Sequence, residues 1–79
     1  MKVGDLLNQL VARGGDVRAI YTGTGNPEDR YAIIQEGNKW EVFYSERGDQ
    51  LELRTFSSED DACEYLLKLV EKDETVWRR

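Results

Sequence analysis

The chain has 79 residues, 39% hydrophobic and 34% charged, with 16 acidic residues against 11 basic ones and no histidine. That length holds one domain, and surface scaling buries about 63% of what the unfolded chain exposes, enough for one modest core. A membrane-spanning helix is excluded, since no apolar run approaches ~20 residues, and direct nucleic-acid binding is disfavoured, since phosphate contacts need clustered Lys and Arg.

Val3, Leu6, Leu7, Leu10 and Val11 fall at i, i+3, i+4, i+7 and i+8, one apolar stripe of an amphipathic helix. Gly14-Gly15 ends it, because glycine takes the left-handed position after a helix without steric cost. Val17 to Thr22 reads as a first strand and Gly23 to Asp29, with the only proline, as an exposed loop. Arg30 to Gln35 is a second strand, and Glu36-Gly37-Asn38-Lys39 a hairpin turn into a third, Trp40 to Glu46. Arg47-Gly48-Asp49 then turns the chain into a fourth strand, Leu51 to Phe56. Four consecutive strands with short turns favour an antiparallel meander, because parallel pairs need crossovers of about a dozen residues.

Ser57 or Ser58 caps the last helix, with Asp60 or Asp61 three residues on. Ala62, Tyr65, Leu66, Leu69 and Val70 form its buried stripe, and Glu64 and Lys68 pair at i, i+4 outside. Asp73 and Trp77 fall near the same stripe, so the helix continues or frays there, with a flexible tail expected from about residue 74. The expected architecture is α+β: a four-stranded antiparallel meander flanked by N- and C-terminal helices packed on one sheet face.

The charge is local. Between Ser57 and Glu74 lie seven acids and two bases, giving −5, whereas the rest of the chain carries nine of each. Acids at a helix start suit the helix dipole; the same cluster (Glu59, Asp60, Asp61, Glu64) also makes a surface that steers a basic partner. It lacks the glycine and spaced oxygen ligands of a calcium loop, so no metal is expected. Gly23-Thr24-Gly25 starts like a phosphate loop, but Glu28 and Pro27 break the pattern and no helix follows, leaving a turn. The missing histidine removes the commonest general base. Cys63, alone and on a helix flank, reads as a small apolar residue in a reducing cytoplasm. Met1 to Leu10 is too polar for a signal-peptide core. No cofactor and no enzymatic activity are expected.

Alternation along the third strand puts Trp40, Val42 and Tyr44 under the helices, a choice supported by Leu51 and Leu53, and Phe43 on the opposite, open face with Tyr31 or Ile34 nearby, depending on register. Phe43, Arg47 and Trp77 are either ordinary surface and core-closing residues or the aromatic and arginine anchors of an interface.

The stretch Trp40–Gly48, its spacing to Phe56, and Ser58-Glu59-Asp60-Asp61-Ala62-Cys63-Glu64-Tyr65-Leu66-Leu67 resemble small bacterial immunity proteins of polymorphic toxin systems. The first helix ending in Arg13-Gly14 and the entry Asp29-Arg30-Tyr31 fit the same pattern, whereas Val76-Trp77-Arg78-Arg79 lies outside it. The resemblance implies a cytoplasmic inhibitor that binds and occludes a cognate toxin domain with a basic active-site surface, and it carries over no catalytic residue. The expected contact residues are Glu59, Asp60, Asp61, Glu64, Phe43, Arg47 and Trp77. The competing expectation is a small acidic regulatory or adaptor module that binds a resident protein or self-associates through the open sheet face.

Overall fold

A computed structural model describes residues 1–22, 30–47 and 49–77. The loop read over Gly23 to Asp29, Gly48 and the last two arginines lie outside the described residues. The first helix, α1, spans Val3–Ala12 and buries Leu6 and Leu10. The Asp5 carboxylate accepts the Lys2 backbone N–H at 3.0 Å, satisfying a donor that the first turn leaves orphaned. At the other end Gly14 (φ +85°) occupies the left-handed position. The Gly14 N–H donates to the Val11 carbonyl at 3.1 Å and the Gly15 N–H to the Leu10 carbonyl at 2.7 Å. This paired closure needs glycine at its first residue.

The expected first strand is mostly something else. Val17–Ala19 forms one turn of 3-10 helix and only Ile20–Tyr21 forms a strand, β1. Three longer strands follow: β2 (Arg30–Glu36), β3 (Lys39–Glu46) and β4 (Asp49–Phe56). The sheet order is β1-β2-β3-β4, and β2-β3 and β3-β4 are antiparallel. However, β1 runs parallel to β2, pairing Ile20 with Tyr31 and Tyr21 with Ala32. The sheet is therefore mixed, not the antiparallel meander expected. The rule that parallel pairs need a long crossover applies to full-length strands; here only two residues of β1 are paired, so there is little length to retrace between the strands.

The β2–β3 hairpin turns at Gly37 (φ +61°) and Asn38, which fixes a regular register with Tyr31 opposite Tyr44 and Ile33 opposite Val42. The β3–β4 ladder slips. Val42 pairs with Arg54 but Tyr44 with Leu51, so Glu52 and Leu53 together oppose Phe43. Glu52 takes φ +55° at this bulge. The slip separates Leu51 from Leu53, which simple alternation placed on one face, and both stay largely exposed on the edge strand (40% and 45%).

The second long helix, α2, spans Glu59–Glu71, and a short helix, α3, covers Glu74–Trp77 where a flexible tail was expected. Ser58 is the cap of α2, its Oγ accepting the Asp61 N–H at 3.1 Å. One core joins Leu6 and Leu10 of α1, Ala62, Cys63, Leu66 and Val70 of α2, Ile20, Ile33 and Val42 of the sheet, and Val76. Both helices thus pack on the Ile33–Val42 face. They also run in the same direction: Glu59 of α2 meets Val3 at the start of α1, and Glu71 meets Arg13 just past its end. The opposite face is less open than expected, because Ala32, Phe43 and Ser45 are buried there as well. Among the described residues no helix is long and apolar enough to cross a membrane.

Candidate functional site

At the start of α2, the expected contact acids divide by where the helix turns them. At about 100° per residue, Glu59 shares the inward side with Leu66 and Val70. Its Oε2 accepts the Val3 N–H at 2.8 Å, holding the first turns of the two helices together. The Asp60 carboxylate pairs with the Met1 ammonium group and keeps a side chain 63% exposed. That contact, mainly the hydrogen bond to Asp60 working against desolvation, raises the pKa of the amino group. Asp61 and Glu64 are exposed. With Asp60, Lys68 and Glu71, also exposed, they occupy an arc of roughly 100° on the outside of α2. This is a stripe of four acids and one lysine running the length of the helix. At its far end the Arg13 guanidinium reaches Glu71 at 3.1 Å.

The other three expected contact residues do not join this stripe. Phe43 is on the face away from the helices, as alternation requires, but it is only 1% exposed and offers a partner no surface. It lies on β3, an interior strand, between Ala32 on one side and the β4 bulge on the other. Arg47 is exposed in the β3–β4 turn with φ +52°. That turn lies beyond Tyr44, about 20 Å along the sheet from Trp40 and Phe56, where α2 begins. Trp77 closes the core. Its indole N–H donates to the Val70 carbonyl at 2.8 Å, and the Arg13 guanidinium sits 5.0 Å from the ring centroid. The ring also abuts Gly15, where a Cβ would stand 2.8 Å from it.

A feature that the sequence reading missed lies at the other end of α2. Tyr31, Tyr44, Leu51, Glu52, Leu69 and Asp73 line a cleft of about 460 Å³ between the C-terminal end of α2 and the bulged edge of the sheet. The two tyrosines are directly paired across β2 and β3, which puts Tyr31 on the helix-covered face and not beside Phe43, and their rings meet edge to face at 5.0 Å and 72°. The Tyr31 hydroxyl donates to Asp73 Oδ2 at 2.8 Å. Burial first, and the neighbouring Asp73 carboxylate second, push the Tyr31 pKa well above the ordinary phenol range, so it stays a neutral donor. The result is a cleft lined by aromatic and leucine side chains together with the carboxylate residues Glu52 and Asp73. The signal was present in the symmetric register about Gly37-Asn38, which places Tyr31 across from Tyr44.

Cys63 is fully buried, and desolvation with the nearby Glu59 charge pushes its thiol up to about 11. It is a packing residue in the thiol form at neutral pH. Among the described residues no group of three or more His, Cys, Asp or Glu is placed to hold a metal ion. Comparison of the chain with protein-family models, curated proteins and solved structures finds no match.

Proposed function

We propose that this chain is a cytoplasmic immunity protein that binds a cognate toxin domain stoichiometrically and occludes its basic active-site surface. The observation that carries the reading is the exposed stripe Asp60-Asp61-Glu64-Glu71 on α2, set on a helix that Glu59, Ser58 and Trp77 fix rigidly to the rest of the fold. Acids held on a rigid element complement a partner that presents Lys and Arg, and they accelerate the encounter at low salt. A toxin acting on nucleic acid or a phosphorylated nucleotide presents such a surface. The resemblance carried by Trp40–Gly48 and Ser58–Leu67 supports the same reading. Phe43, which is buried, Trp77, which closes the core, and Glu59, which turns inward to the Val3 N–H, drop out of the contact set; Asp60, Asp61, Glu64 and Arg47 remain.

The test is genetic. Removing the chain from its own cells is lethal while the toxin is produced and harmless once the toxin gene is also removed. A growth defect that persists without any toxin refutes the reading. It would favour the adaptor reading, which has its own support in edge strand β4, exposed over Asp49–Thr55 with Leu51 and Leu53 on it.

A further inference from the structure

The cleft at the C-terminal end of α2 has the chemistry of a cation site. Two tyrosine rings, Leu51 and Leu69 line it together with the carboxylate residues Glu52 and Asp73. Its volume of about 460 Å³ is at the small end of the range in which ligand pockets fall. Aromatic faces attract cations within about 6 Å, and a planar guanidinium stacks on them better than an ammonium does. This molecule already stacks guanidinium on aromatic rings twice, with Arg13 at 5.0 Å from Trp77 and Arg54 at 5.7 Å from Tyr65.

Three details favour an arginine presented by another protein over a free small molecule. Two lining residues, Leu51 and Glu52, belong to β4, an outer strand of the sheet eight residues long, so the cleft adjoins an edge along which an extended segment can lie. Glu52 is held in the lining by the bulge, in the left-handed region that a glutamate rarely occupies. Asp73 is oriented by the Tyr31 hydroxyl, which donates to its Oδ2 at 2.8 Å. The geometry points to the Tyr31–Tyr44–Glu52–Asp73 cleft as the socket for an arginine side chain on an extended segment of the protein partner. This rests on the reading of the chain as a binder of a basic partner, and it adds a second contact at the end of α2 opposite its acidic start.

The test is a two-dimensional amide NMR titration of the full chain with N-acetyl-Gly-Arg-Gly-amide. The control peptides carry citrulline, the neutral isostere, or lysine in place of arginine. The arginine peptide produces saturable shifts at Tyr31, Tyr44, Leu51 and Leu69, the lysine peptide binds more weakly, and the citrulline peptide does not bind. Glu52→Gln weakens the arginine peptide about five-fold, the worth of one partly screened charge contact, and Glu52→Lys abolishes it. Both changes fall on an exposed side chain, and unchanged amide positions elsewhere verify the fold. The double variant D61K/E64K binds the peptide as the wild type does. Shifts along Asp61 and Glu64 alone overturn the socket while leaving the acidic-stripe reading intact. Equal binding of all three peptides, or saturation at the cleft unaffected by Glu52→Lys, also overturns it. A socket that binds arginine in a chain whose removal is harmless to toxin-producing cells leaves the socket standing and removes the immunity reading.

Discussion

Gly15→Ala isolates the contact that closes the core. Gly15 has no left-handed backbone to protect, so on backbone grounds alanine is expected to stabilise by about 0.4–1 kcal/mol through the unfolded chain. Sterically the opposite holds. The new Cβ would stand 2.8 Å from one carbon of the Trp77 ring, 3.1 Å from the next and 3.2 Å from Leu10 Cδ2. The ring cannot swing away freely, because its N–H is bonded to the Val70 carbonyl at 2.8 Å, and Leu10 is fully buried. Overpacking of this kind costs about 1–3 kcal/mol, against a total stability of about 4–12 kcal/mol for a chain of this length.

A double-mutant cycle with Trp77 isolates the contact. Trp77→Ala alone destabilises by about 2–4 kcal/mol, for the lost half-buried ring and one hydrogen bond. In that background Gly15→Ala turns neutral or stabilising, because the ring that it meets is gone. Urea unfolding followed by circular dichroism gives all four values without relying on tryptophan emission. A Gly15→Ala protein at least as stable as wild type, with Trp77 in place, refutes the packing account. So does a Gly15→Ala cost unchanged by Trp77→Ala.

Ser58→Ala removes the acceptor for the Asp61 N–H and is expected to cost about 1 kcal/mol, a fall of about 4–8 °C in Tm for a domain of this size. Tyr31→Phe tests the raised phenol pKa through alkaline stability. Because the folded value lies above the unfolded one near 10.0, Tyr31 contributes stability that is fully present below pH 10.0 and is lost as pH climbs beyond it. The Phe variant starts less stable at neutral pH by about 1.5–3 kcal/mol, the worth of a hydrogen bond to a charged group, and loses less stability in urea melts at alkaline pH. An unchanged alkaline slope contradicts the Tyr31–Asp73 assignment. Cys63, buried with its thiol pushed up to about 11, should react with a disulfide reagent at pH 8 at least ~100-fold more slowly in the native than in the urea-unfolded protein. Comparable rates contradict its burial.

The parts legible in the sequence are those set by short-range chemistry. Gly37-Asn38 dictates the β2–β3 register residue by residue, Ser58 marks the start of α2, and the spacing of Ala62, Leu66 and Val70 selects its buried side. The inward position of Glu59 was also written there, since it stands seven and eleven residues before Leu66 and Val70 on the same side of the helix. Reading the acids as one charge cluster hid that. Val11 reads as part of the α1 stripe but stays exposed, because it lies about 120° from the centre of the buried Leu6–Leu10 line. What could not be read depends on distant partners. Trp77 becomes a core residue only because Gly15, 62 positions earlier, leaves room for its ring. Alternation carried Leu51 and Leu53 to one face until the Glu52 bulge parted them. The parallel β1 was lost because two paired residues are too few to leave a pattern. Half of the cleft was legible, as the Tyr31–Tyr44 pair; Asp73 reaches it only through the packing of α2.

The most direct test of the central claim is quantitative affinity capture from the protein's own cells at low and high salt, using the wild type and D61K/E64K. An acidic-stripe immunity protein retains one protein in equimolar amount at low salt, with a basic toxin-like domain, and that protein is sharply depleted both by high salt and by the charge reversal. Equal retention of that protein by the reversed variant, or no equimolar partner on the wild type in toxin-producing cells, would contradict that claim.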